Sequence, residues 1–151
     1  VEKVLLGIGN PLARDDGVGV WVAEHFRRAG WLSIPAGQAP ENVLGKIARL
    51  APKVLVVVDA VEMGLPPGTI RRIVDQGARV PWGSTHSLPL FDLFAELSRS
   101  VGEVIFIGVQ PKDLSLGEVL SPEVAAAARR VLKVLEREDF ANIPEFRPEE
   151  K

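Results

Sequence analysis

Val54-Leu55-Val56-Val57-Val58 runs without a polar side chain until it meets Asp59. Four of these five residues are β-branched, which suits a pleated strand, and the lack of polar alternation means that both faces are covered, as in a layered α/β domain. Two further runs share this character. Val4-Leu5-Leu6-Gly7-Ile8-Gly9 ends in glycine, the form of a buried strand whose end meets a functional loop, and Val104-Ile105-Phe106-Ile107-Gly108-Val109 stops at Gln110-Pro111, where regular pairing must end.

Helical patterns lie between these runs. Residues 17–29 place Val18, Val22 and Phe26 on one stripe with Trp21 and His25 beside it, and residues 41–50 turn Val43, Leu44, Ile47 and Leu50 inward. A third pattern covers residues 88–97. Ser121-Pro122-Glu123 opens a fourth, because serine can cap and proline fits a first turn, and Val124, Ala128, Val131 and Leu135 face inward as far as about Arg137. Weaker extended segments are expected at Trp31–Pro35 and, after the Pro66-Pro67-Gly68 turn, at Thr69–Val74, the latter as a more exposed strand of a mixed sheet. Covered strands interleaved with helices predict a three-layer α/β/α sandwich, and in open sheets of this kind sites collect at the carboxyl ends of the strands. Beyond Glu138 the chain is charged and interrupted by proline, which predicts a tail or a surface-packed extension.

The 151 residues, 46% of them hydrophobic, suffice for one core, so one domain is expected. A formal charge of −2 without a basic block gives no reason to expect nucleic acid. No apolar run approaches the roughly 20 residues that cross a bilayer, and the chain opens almost directly on a core strand, so a soluble protein without a signal peptide is expected. There is no cysteine, which removes thiol nucleophiles, disulfides and thiolate metal sites together and fits an intracellular setting. Any metal must then be held by carboxylate, imidazole, backbone or substrate ligands, and the only imidazoles are His25 and His86.

Asp15-Asp16 follows a buried strand and precedes a helix. One of these carboxylates can cap that helix, but both cannot serve as the same cap, so the other is available to a ligand. The preceding glycines are not a dinucleotide fingerprint, since Gly-x-Gly-x-x-Gly fails at Leu12, nor are they a phosphate loop. Asp59 ends the most hydrophobic strand, where an acid either closes a loop or serves a site. His86, between Thr85 and Ser87, is by itself an ordinary loop histidine. With two aspartates on loops at the same sheet edge it completes an oxygen-rich metal site with open positions. Separations of 43 and 27 residues suit assembly across successive βα units rather than a compact finger. His25 lies mid-helix among aromatics and reads as structural or surface, and Trp31 and Trp82 read as packing or partner-contact residues.

Two rivals use the same residues. Ser84 and His86 could form a serine-type pair, although no Gly-x-Ser-x-Gly elbow surrounds the serine. An Asp16–Asp59 dyad would need one carboxyl protonated near neutrality and would leave His86 without a role.

Taken together, Gly7-Ile8-Gly9-Asn10-Pro11-Leu12-Ala13-Arg14-Asp15-Asp16-Gly17-Val18-Gly19, Val57-Val58-Asp59-Ala60, Pro67-Gly68-Thr69, Ser84-Thr85-His86-Ser87-Leu88-Pro89-Leu90 and Gly108-Val109-Gln110-Pro111 resemble the nickel-iron hydrogenase maturation endopeptidases. The resemblance extends to about Leu135. It implies a phosphorylase/hydrolase-like domain over residues 1–138 with a twisted, mostly parallel five-stranded sheet, followed by a charged tail at 139–151. It further implies cleavage of a C-terminal extension from a hydrogenase large-subunit precursor after nickel insertion. Asp16, Asp59 and His86 take the family's metal-binding roles, with nickel supplied by the precursor. Some family members carry glutamate where Asp16 stands, so the shorter carboxylate changes reach but not ligand chemistry. Asp15 would cap or orient the first loop, and Asn10 would hold the loop or donate to substrate. A cytoplasmic monomer is expected, with a non-proteolytic nickel-sensing docking protein as the alternative reading.

Overall fold

The three apolar runs form the middle of one sheet. The computed structural model of the chain describes residues 2–74 and 98–147. In chain order its regular elements are β1 (Lys3–Ile8), α1 (Val18–His25), β2 (Trp31–Gly37), α2 (Glu41–Leu50), β3 (Val54–Ala60), β4 (Ile70–Ile73), β5 (Glu103–Val109) and α3 (Pro122–Arg137). The strand order is β2-β1-β3-β5-β4. Pairing is parallel except for β4, which runs antiparallel to β5 at the edge, so the sheet is mixed and mostly parallel as expected.

Both faces of the central strands are covered, which explains why their sequences do not alternate with polar residues. Val4, Leu6, Ile8, Leu55 and Val57 pack on one side with Leu44 and Ile47 of α2. Leu5, Val56, Val58, Ile105, Ile107 and Val109 pack on the other with Val18 and Val22 of α1 and Val124, Ala128, Val131 and Leu135 of α3. The predicted inward faces of α2 and α3 are therefore the packed ones. A Cβ on Gly19 would collide with the carbonyl oxygens of Ile8 and Val58, so only glycine there lets α1 lie directly on the backbone of β1 and β3.

Two expectations need correction, and a third is decided between its two forms. The first helix stops at His25 rather than near Ala29; Phe26 is extended yet still buried, and Trp31 meets its ring edge-on at 5.1 Å. Ser121 stands at the start of α3 without capping it, because its hydroxyl is used elsewhere. The segment after Glu138 is the packed extension of the two forms expected, not a free tail over its described residues. Phe140, Ile143 and Phe146 are buried, the Arg72 N–H donates to Pro144 O and the Phe146 N–H to Arg72 O, both at 2.8 Å, which covers the outer edge of β4. The helix expected at 88–97 lies outside the described residues.

Candidate active site

Neighbours of β1 in the sheet are β2 on one side and β3 on the other, all three parallel, so the direction in which the chain adds strands to the sheet reverses at β1. In open α/β sheets, loops leaving the strands on either side of such a reversal diverge, and this is where ligands are bound. Asp16 lies on the loop that leaves β1, and Asp59 is the penultimate residue of β3.

Gly9 makes the first turn at φ +132°, a conformation that an L side chain resists. A Cβ there would also strike the Asp16 carbonyl oxygen and stand 3.6 Å from Asp59 Oδ1, so this glycine lets both aspartates approach the strand end. Gly9→Ala should therefore destabilise the fold by about 3 kcal/mol or more and displace the Asp16 loop. Thermal melting and a precursor-cleavage assay check this; wild-type behaviour in both would contradict the packing.

The loop is closed on itself. Asn10 N–H donates to Asp16 Oδ2 at 2.9 Å, Asn10 Oδ1 accepts from the Leu12 N–H at 3.0 Å, and Asp16 N–H donates to Ala13 O at 3.0 Å. Asn10 thus holds the loop, and Asp16 is fixed while remaining partly accessible. Asp15 does not cap α1. It is fully buried and reaches across to the loop before α3, where it accepts from Lys112 N–H (2.9 Å), Asp113 N–H (2.9 Å), Ser121 N–H (2.7 Å) and the Ser121 hydroxyl (2.8 Å). Adjacent acids divide the work: one joins two loops and the other stays partly accessible near Asp59.

Asp59 is 1% exposed, and its Oδ1 has no hydrogen-bond partner among the described residues. Burial, with the neighbouring Asp16 carboxylate adding to it, holds the Asp59 carboxyl well above the usual carboxylate range, while the Ala60 backbone works the other way. A buried acceptor without a donor is costly, and a cation beside it would remove the cost. The oxygen chemistry of this pair suits a divalent ion.

Sequence reading gave no role to Gln110, which the structure shows as the latch of the loop after Asp59. Its Oε1 accepts from Met63 N–H (2.7 Å) and Leu65 N–H (3.3 Å), and its Nε2 donates to Glu62 Oε2 (2.7 Å). The hints were its position beside Pro111 and its place in one of the blocks that carry the family resemblance. His25 is an exposed residue at the end of α1, within the structural-or-surface reading: it stacks on Trp21 at 3.9 Å and its Nδ1 bonds the Trp21 carbonyl. His86, Ser84 and Trp82 lie outside the described residues, and among the described residues no three His, Asp or Glu side chains gather as a metal cluster.

Sheet order, its reversal at β1 and two neighbouring carboxylates define an open-sheet α/β protein with an acidic site at the carboxyl edge of its strands. The sequence profile of the hydrogenase maturation proteases matches residues 22–138. The Hydrogenase 3 maturation protease of Escherichia coli (strain K12) is 39% identical over 140 residues, which is 90% of either chain. The solution structure of the endopeptidase HycI from Escherichia coli superposes with a TM-score of 0.89 at 35% identity and covers 100% of both chains. A crystal structure of a NiFe hydrogenase maturation protease HycI from Thermococcus kodakarensis KOD1 gives 0.75 at 32% identity, over 93% of this chain and 92% of that one. The chain belongs to the hydrogenase maturation protease family, and so to the enzymes that hydrolyse peptide bonds.

Proposed function

We propose that this chain is the endopeptidase that removes the C-terminal extension of a nickel-iron hydrogenase large-subunit precursor after nickel has been inserted. Asp16, Asp59 and His86 contact the nickel that the precursor carries. The observation that carries this reading is the buried, unpartnered Asp59 Oδ1 beside Asp16. Such an oxygen is poorly used in the absence of a cation and well used in its presence. In the loaded precursor the ion polarises the scissile carbonyl or activates water, stabilising the oxyanion that develops. Metal loading then becomes a checkpoint, because an empty precursor lacks the ion that joins enzyme to bond. The reaction is assigned to the cytoplasm; among the described residues no helix is long and apolar enough to cross a membrane.

One observation favours a second reading. A carboxyl pushed toward its protonated form by burial and by a like charge is what a metal-independent aspartic dyad of Asp16 and Asp59 needs. His86→Ala separates the two. With nickel-loaded precursor, the metal reading expects Asp16→Asn, Asp59→Asn and His86→Ala each to lose most cleavage, whereas an intact rate in His86→Ala alongside loss in both aspartate variants would favour the dyad.

A further inference from the structure

Leu12, Leu114, Leu116 and Val119 are 52%, 51%, 86% and 69% exposed, and they are the large hydrophobic side chains left in solvent among the described residues. Single exposed apolar residues are ordinary, but these four share two loops that are bonded to each other. Gly117 N–H donates to Leu12 O and Arg14 N–H to Gly117 O, both at 2.8 Å, and the parallel bridge between Ala13 and Gly117 sets Leu12 beside Leu116. The Asp15 carboxylate ties the same two loops from beneath, and Asp113 Oδ1 accepts from both the Ser115 N–H and its hydroxyl. A buried carboxylate thus fixes two loops that hold apolar side chains in water.

We propose that Leu12, Leu114, Leu116 and Val119 form the docking surface for an apolar stretch of the precursor polypeptide next to the bond that is cut. The proposal rests on the proteolytic reading above and adds how the substrate is gripped. Continuity with the site argues for this occupant. Leu12 stands four residues before Asp16 in the loop that the Asn10–Asp16 hydrogen bond closes, so a peptide reaching Asp16 and Asp59 from this side crosses the patch. Between these loops and α1 lies a cavity of about 70 Å³, lined by Pro11, Arg14, Trp21, Glu118 and Leu120 among others. A second copy of the chain seated here would cover the loop that bears Asp16, and it is an outcome that counts against the proposal.

The test compares wild type with Leu116→Glu and with Leu12→Gln/Leu116→Glu. Cleavage of the nickel-loaded precursor is expected to fall about tenfold or more in kcat/KM, with the loss carried by KM, and melting temperatures should not move, since these side chains are exposed. Direct titration of the precursor reads docking apart from chemistry. Weaker binding by the variants supports the surface even where no cleavage is seen. Equal binding by wild type and variants overturns it, as does a change from dimer to monomer in sedimentation without a change in KM.

Discussion

Asp59→Asn is expected to abolish precursor cleavage and, in the same protein, to make the fold more stable. The two effects share one cause. Asp59 is buried, one of its oxygens meets no donor among the described residues, and its carboxyl is held above the ordinary range by burial and by Asp16. Well below the ordinary carboxylate value near 3.8, folded and unfolded chains both hold the proton and the group has no pH-linked cost. As pH rises past that value the unfolded chain releases its proton first, so stability falls until the raised folded-state value is passed. Asparagine never ionises. The variant's advantage should therefore be smallest in acid, widen with rising pH and level off, reaching about 1–3 kcal/mol. Cleavage should fall by about 10³-fold or more, as expected for loss of a group that stabilises charge at the reacting bond. Melting curves across pH and a single-turnover cleavage assay check both halves. A variant less stable than wild type at neutral pH would show that Asp59 is a structural acid.

Asp15→Asn should do the opposite, with large destabilisation as its main effect. Four donors converge on the Asp15 carboxylate, three of them backbone N–H groups that have been taken from water. Bonds to a charged acceptor are stronger than neutral ones, and an amide NH₂ turned toward these donors leaves at least one of them without an acceptor. A loss of about 3–5 kcal/mol in urea unfolding is expected, the range for removing one side of a buried charged network. Cleavage should weaken too, because Asp16 is the next residue and the Asp15 N–H bonds Asp113 O at 3.1 Å in the same junction. An unfolding midpoint within 0.5 kcal/mol of wild type, a scale set by ordinary surface substitutions, would contradict the four-donor junction. Neighbouring acids with opposite stability signatures would identify one as scaffold and the other as site.

The layers of this fold are plain in the sequence because burial on two faces removes polar residues from β1, β3 and β5. Asp59 stood out for the same reason, as the first charge after five apolar residues. What local pattern could not give is anything decided by distant partners. Asp15 looks like a helix cap until its donors, about a hundred residues away, are in place. Phe26 keeps the helical spacing of Val18 and Val22 yet is buried from an extended backbone, so periodicity overran the end of α1. Phe140, Ile143 and Phe146 are diluted by charge and proline, and their role shows only against β4 and the sheet faces. Gln110 read as punctuation because its work is done on residues 62–65. The third member of the proposed site, His86, rests on the family resemblance and lies outside the described residues.

The central claim is that Asp16, Asp59 and His86 read nickel carried by the substrate. Its most direct measurement is mass spectrometry of the products formed from one hydrogenase large-subunit precursor, prepared with and without nickel and given equal enzyme. The account predicts a single C-terminal fragment from the nickel-loaded precursor and none from the empty one over the same time. The same fragment released at the same rate from both would contradict it.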